Sequence, residues 1–97
     1  MTAPVPDGSG VSHNLASNRF EVNADGGLAV LEYIRRGNEI VMTHTFVPPE
    51  LRGRGHAELL VRAALAFAAA NQLRVVPACS YVDRFIQRHP EFQGLVA

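Results

Sequence analysis

The sequence predicts a small α+β domain with a mostly antiparallel sheet of about four strands, one β-α-β crossover and a short C-terminal helix. Residues 19–47 alternate between apolar and polar positions and are interrupted by two glycine turns, a pattern typical of an antiparallel meander. Residues 55–71 instead repeat their apolar positions with the spacing of a helix, and a short apolar stretch at 73–77 follows. The 97 residues are enough for one such domain.

The first 18 residues are predicted to be a flexible tail, so that the domain itself spans residues 19–97. Proline, glycine, serine and asparagine dominate this segment, and Asp7 is its only charge. Such a composition buries too little apolar surface to offset the entropy lost on ordering. The segment also lacks the basic and apolar regions of an export signal, and no apolar run in the chain approaches the length of a membrane span. We therefore expect a cytoplasmic protein that is not bound to a membrane.

Three strands are predicted in the first half of the domain. Residues 20–24 alternate between apolar and polar, and an Asp-Gly-Gly turn at 25–27 separates them from a second alternating segment, residues 28–34. A second turn, around Gly37, leads into residues 39–47, which are rich in β-branched and aromatic residues. Two prolines end this third strand, because proline has no N–H to donate to a neighbouring strand.

A long helix and a short one are predicted in the second half. Between residues 55 and 71, two adjoining apolar stripes are expected to face the sheet: Leu60, Ala64 and Phe67 in one, Val61, Leu65 and Ala68 in the other. Residues 73–77 are predicted to form a buried strand parallel to the strand before the helix, which completes a β-α-β crossover. The short helix spans residues 81–88 and ends at a His-Pro pair.

Charge and composition exclude several classes of partner. Nine basic residues, all arginine, balance nine acidic ones, so the formal net charge is zero. A protein held to nucleic acid or to a membrane surface by electrostatics carries a basic excess. The single cysteine, Cys79, rules out an intramolecular disulfide and a Cys-x-x-Cys zinc pair, and neither His56 nor His89 has a partner at ligand spacing. We therefore expect no nucleic acid, no membrane and no metal as partners.

An arginine- and glycine-rich segment, Arg52-Gly53-Arg54-Gly55, lies at the start of the long helix. A helix start presents unpaired N–H groups and the positive end of a dipole, so this position suits a phosphate. The glycines let the backbone approach a ligand closely, and the arginines offer charge-assisted hydrogen bonds. The Walker motif is excluded because the chain has no lysine, and the dinucleotide-binding fingerprint fails because Glu58 occupies its third glycine position.

The same segment matches a third pattern, Gln or Arg-x-x-Gly-x-Gly or Ala, in the residues from Arg52 to Ala57. In this pattern, and in its setting between a strand and a helix, the chain resembles the GNAT-type N-acetyltransferases. The blocks HTFVPPELRGRGHAELL and PACSYVDRFIQRHPEF are similar to the small YjdJ-type branch of that superfamily. The resemblance covers nearly all of the chain from Arg19 onwards.

The resemblance implies a GNAT-like fold that binds acetyl-coenzyme A or coenzyme A and transfers the acetyl group to an amine. The acceptor is unidentified and is a small molecule, a peptide or a protein. The coenzyme-binding residues that the resemblance implies are Thr45, Phe46, Val47, Arg52, Gly53, Arg54, Gly55, His56 and Ala57. The alternative is a coenzyme A binding module or sensor with little or no catalysis, whereas neutral charge disfavours a small RNA-binding domain.

Three residues are candidates for the chemistry. Cys79 is expected at the N-terminal edge of the short helix, where the helix dipole favours a thiolate, and the resemblance places it near the thioester. It either accepts the acetyl group covalently or lines the wall of the site. Tyr81 lies where the superfamily often has a tyrosine that protonates the coenzyme thiolate, with packing as its alternative role. His44 is of the type that accepts a proton near neutrality, but by alternation we expect it to share a face with Met42 and Phe46, which also suits a core residue.

Overall fold

Six strands form a single sheet in which each strand lies beside the next one along the chain. The computed structural model describes residues 2–4 and 10–97. The strands are β1 (Thr2–Pro4), β2 (Ser12–Asn14), β3 (Arg19–Ala24), β4 (Gly27–Arg36), β5 (Glu39–Phe46) and β6 (Arg74–Pro77). All neighbours are antiparallel except β5 and β6, which are parallel. The predicted α+β class and mostly antiparallel sheet are confirmed, and the sheet has two more strands than the expected four.

Two helices pack on the same face of this sheet. Helix α1 (His56–Ala70) connects β5 to β6, and α2 (Ser80–Arg88) follows β6. The predicted β-α-β crossover and the predicted short C-terminal helix are therefore both present. Single 3₁₀ segments lie at Pro49–Leu51 and Pro90–Leu95. The core between sheet and helices contains Phe20, Leu31, Tyr33, Ile40, Met42, Leu60, Val61, Leu65, Val75, Val82 and Phe85. Among the described residues, no helix has both the length and the hydrophobicity to cross a bilayer.

Strand β2 lies within the segment that was predicted to be a tail. Residues Ser12–Asn14 pair with β3, and both Val11 and His13 are buried. The tail prediction was based on the average composition of the segment. An average does not show that Val11 and His13 alternate with polar residues and face the core. The domain therefore extends upstream of Arg19, at least through residues 10–18. Residues 1 and 5–9 of the predicted tail lie outside the described residues.

Strand β5 contains a β-bulge at Thr43. Glu32 of β4 pairs with His44, whereas the next residue of β4, Tyr33, pairs with Met42. Thr43 is thus the extra residue of β5, and its hydroxyl donates to the Glu32 carbonyl at 3.2 Å. A bulge of this kind shifts by one position the alternation of the residues that follow it.

The bulge decides which residues of β5 face the helices. Before it, Met42 is fully buried in the core, as simple alternation predicts. After it, His44 is exposed, and Thr45 lies opposite Leu31, a core residue that faces the helices. Because residues directly opposite in a sheet share a face, Thr45 points to the helix side and His44 points away from it.

The parallel strands β5 and β6 separate after a short paired region. Their register runs from Glu39, opposite Arg74, to Met42, opposite Pro77, and β5 continues to Phe46 paired with β4 only. Pro77 ends the ladder because it has no N–H to donate. The chain after β6 turns into α2, and the backbone N–H of Cys79 donates to the Met42 carbonyl at 2.8 Å. This contact brings the start of α2 beside the edge of β5 that no longer pairs with β6.

Candidate active site

The loop between β5 and α1 presents its backbone to solvent at the start of the helix. Gly53 and Gly55 have φ values of +78° and +82°, in the left-handed region that favours glycine. No heavy atom lies within 4 Å of a Cβ built on either residue. Gly55 is the N-cap of α1 and makes no side-chain cap, so the first N–H groups of the helix are left for another acceptor. The local conformation is therefore that of an anion site.

A cleft of about 470 Å³ opens in front of this loop. It is lined by Thr45, Phe46, Val47, Leu51, Arg52, Gly53, Gly55, His56, Ala57, Glu58 and Tyr81. All the predicted coenzyme-binding residues except Arg54 are in this set, together with the candidate catalytic residue Tyr81. Sequence reasoning missed Leu51 and Glu58. Glu58 lies in the first turn of α1 and forms an i,i+4 pair with Arg62 at 2.9 Å.

The two arginines of the loop have different roles. Arg52 lines the cleft, and its Nε donates to the Val47 carbonyl at 2.9 Å, which ties the loop to the end of β5. Arg54 instead extends to the β3–β4 turn, where its guanidinium forms an ion pair with Asp25 at 2.6 Å. Both members of that pair are solvent-exposed. The expectation that Arg54 binds the coenzyme therefore has no support in the position of its side chain, because Asp25 holds it outside the cleft.

His56 has two buried ring nitrogens without a partner. It is the first residue of α1 and lines the cleft, yet neither Nδ1 nor Nε2 has a hydrogen-bond partner among the residues that the structure describes. A buried polar atom without a partner costs about 1–3 kcal/mol, so these two nitrogens are available to water or to a ligand in the cleft.

Cys79 lies beside the cleft, at the N-cap of α2. Its Sγ is 3.5 Å from the Thr45 hydroxyl oxygen, and Thr45 itself lines the cleft. Burial raises the pKa of the Cys79 thiol, but the Thr45 hydroxyl and the backbone N–H groups of Val82, Tyr81 and Thr45 outweigh burial. The pKa therefore lies below its ordinary value. A lowered pKa favours the thiolate, which is the nucleophilic form of a cysteine.

Tyr81 is the second residue of α2 and exposes 40% of its surface. Burial and the nearby Glu58 carboxylate raise the pKa of its phenol, and Arg88 only partly opposes them. The phenol therefore remains protonated at neutral pH and has a proton to donate at the edge of the cleft.

His44 lies on the other side of the sheet. We predicted that it shares a face with Met42, and this is wrong because the bulge at Thr43 lies between the two residues. His44 is exposed, stands opposite Glu32, and stacks on Phe46 with ring centroids 6.5 Å apart. Its ring therefore does not face the Cys79 thiol. Among residues 2–4 and 10–97, no group of His, Cys, Asp and Glu is arranged to hold a metal ion.

Proteins of similar sequence and structure belong to one family. The model for GCN5-related N-acetyltransferases matches residues 19–95. Protein NATD1 from Bos taurus is 39% identical over 83 residues, which cover 82% of this chain and 74% of that protein. Protein NATD1 from Danio rerio is 33% identical over 88 residues, which cover 88% of this chain and 80% of that protein.

The fold is also similar to that of solved structures. One of them is the NMR solution structure of a Staphylococcus aureus protein described as GCN5-like. The two structures superpose with a TM-score of 0.69 over 82% of this chain and 81% of the other, at 29% sequence identity.

Proposed function

Because the chain belongs to the GCN5-related N-acetyltransferase family, we propose that it transfers the acetyl group of acetyl-coenzyme A to an amine by way of Cys79. One observation carries the proposal. The thiol of Cys79, with its lowered pKa, lies 3.5 Å from Thr45, a residue that lines the cleft at the start of α1. The glycine loop therefore lines the cleft, and the Cys79 thiol contacts Thr45, another residue of the cleft wall.

Three features of the cleft suit a coenzyme diphosphate. Its volume of about 470 Å³ is in the range of small-molecule sites. Apart from the adjacent residues of the chain, no described residue has an atom within 4 Å of a Cβ on Gly53 or Gly55, so phosphate oxygens can reach the backbone N–H groups. The guanidinium of Arg52 and a ring N–H of His56 add donors at the same place.

Cys79 performs the first step of the proposed reaction. Its thiol loses a proton to solvent, and the thiolate attacks the thioester carbonyl carbon, forming a new S–C bond as the bond to the coenzyme sulfur breaks. The coenzyme leaves as a thiolate, which takes a proton from Tyr81 or from solvent. In the second step, the amine nitrogen attacks the acetyl carbon on Cys79, loses a proton and releases the Cys79 thiolate.

A second candidate function is a coenzyme A binding module or sensor with little catalysis. The position of His44 favours it, because the one histidine that we predicted as a base points away from Cys79. An amine that arrives protonated is a poor nucleophile without a base. In this reading, the cleft binds the coenzyme and Cys79 lines its wall.

Mass spectrometry after incubation with acetyl-coenzyme A separates the two functions. We expect one acetyl group per chain, located on Cys79, and its transfer to an added amine with regeneration of the free thiol. Cys79→Ser and heat-unfolded protein are the controls for acetylation elsewhere and for uncatalysed reaction. Binding by calorimetry without acetylation supports the binding module, and the absence of binding contradicts both functions.

A further inference from the structure

The hydroxyl of Thr45 makes a side-chain contact with the only cysteine of the chain. We propose that Thr45 is the positioning residue of the Cys79 nucleophile: its hydroxyl holds the sulfur beside the cleft and donates a hydrogen bond to it once the thiol proton has left. The inference deepens the proposed function and rests on it for the reaction that the thiolate performs. The contact itself is a property of the protein alone, with Thr45 Oγ1 and Cys79 Sγ 3.5 Å apart.

The β-bulge is what brings Thr45 to this position. Without the extra residue Thr43, alternation from Met42 would turn His44 to the helix side and Thr45 to the opposite face. With it, Thr45 stands opposite the core residue Leu31 and faces the start of α2. The Cys79 side of the contact is fixed by its backbone, because the Cys79 N–H donates to the Met42 carbonyl at 2.8 Å. Both partners are therefore held by main-chain structure.

A hydroxyl suits both protonation states of the sulfur. In the thiol state, the S–H group donates to Thr45 Oγ1, which has free lone pairs. In the thiolate state, the hydroxyl rotates and donates its own proton to the negative sulfur, a charge-assisted bond. A β-branched side chain in a strand has restricted χ1, so the oxygen stays near the sulfur while its hydrogen turns. Valine has the same shape and offers neither bond.

The electrostatics agree with this geometry. Burial opposes ionisation of Cys79. Among the groups that lower its pKa, the Thr45 hydroxyl has a larger effect than any of the backbone N–H groups. Those N–H groups remain in a Thr45 variant, so the contribution of the hydroxyl can be measured separately.

The test is the pH profile of Cys79 alkylation by iodoacetamide, without coenzyme. The chain has a single cysteine, so the rate reports on this thiol alone. We expect Thr45→Val and Thr45→Ala to shift the midpoint to higher pH and to slow the reaction at neutral pH by about tenfold, because a bond to a charged group is lost. Thr45→Ser, which keeps the hydroxyl, should restore most of the rate. His44→Gln is the control on the same strand, because His44 is exposed on the face opposite to Thr45, and its midpoint should equal that of the unmodified chain.

The outcomes distinguish this inference from the proposed function. Midpoints that stay unchanged in both Thr45→Val and Thr45→Ala overturn the inference, even where Cys79 is acetylated by acetyl-coenzyme A. The inference is supported if the midpoint shifts in Thr45→Val and Thr45→Ala and stays near that of the unmodified chain in Thr45→Ser. If this result is obtained and no acetylation of Cys79 occurs, only the proposed acetyl transfer fails. Thermal unfolding of each variant confirms that the compared proteins are folded.

Discussion

The Nε2 atom of His13 lies 2.6 Å from the hydroxyl oxygen of Tyr33, inside the core. The imidazole also stacks on Phe20, with ring centroids 4.0 Å apart, and meets the edge of Phe67. Burial lowers the pKa of His13 and raises the pKa of Tyr33, so both groups are neutral at pH 7. This buried pair attaches β2 to the rest of the sheet.

Acidification should therefore destabilise the protein. The folded-state pKa of His13 lies below its unfolded value of about 6.5, so the unfolded chain binds the proton more tightly. The contribution of neutral His13 to the stability of the fold is fully present above about pH 6.5 and is lost as the pH falls through the folded-state pKa. We expect Tm to fall between pH 7.5 and pH 5.5, as measured by circular dichroism. His13→Gln should flatten this dependence and the exposed His44→Gln should keep it; equal slopes in all three proteins would contradict the role of His13.

Gly55→Ala tests the backbone of the loop. Its φ of +82° disfavours alanine by about 1–2 kcal/mol, and the same penalty applies to Gly37→Ala, at φ +55° in the distant β4–β5 turn. Neither added methyl group meets another atom of the protein. We expect similar losses of stability in the two variants, but a loss of coenzyme A affinity of about tenfold or more only for Gly55→Ala, by calorimetry. Equal coenzyme A affinities in Gly55→Ala and Gly37→Ala would contradict the assignment of this loop as the coenzyme site.

Arg52→Ala and Arg54→Ala form a matched pair. Arg52 lines the cleft, whereas Arg54 is paired with Asp25 outside it. We expect Arg52→Ala to weaken coenzyme A binding by about 1–3 kcal/mol and to leave the affinity for pantetheine, which lacks the diphosphate, nearly unchanged. Arg54→Ala should have little effect on either ligand, because exposed ion pairs contribute about 0–1 kcal/mol. Equal losses for both ligands would argue against a phosphate contact at Arg52.

Tyr81→Phe tests the proton donor. Because the raised pKa keeps the phenol protonated, its removal should slow acetylation of Cys79 by about a hundredfold if Tyr81 protonates the departing thiolate. Coenzyme A affinity and the alkylation profile of Cys79 should stay the same. An unchanged acetylation rate in the folded variant would leave Tyr81 with the packing role alone.

Much of the fold follows from patterns within single segments. The alternation of residues 20–24 and 28–34, the glycine turns between strands and the apolar stripes of α1 each depend on neighbours in the chain. The loop at Arg52 to Ala57 is also local, since a strand, a glycine turn and a helix start occupy consecutive residues. Strand β2 was missed because its three residues are polar on average, whereas its packing depends on distant residues, since His13 packs against Phe20 and Phe67.

The sequence by itself determined the α+β class, the crossover around α1 and the position of the glycine loop, because periodicity and turn chemistry act over a few residues. Only the tertiary structure decided which face His44 and Thr45 occupy, since a bulge is set by how β5 fits against β4. The pairing of Arg54 with Asp25 and the contact of Cys79 with Thr45 likewise join residues 29 and 34 positions apart. Such contacts depend on how the packed elements meet in space, which no local pattern records.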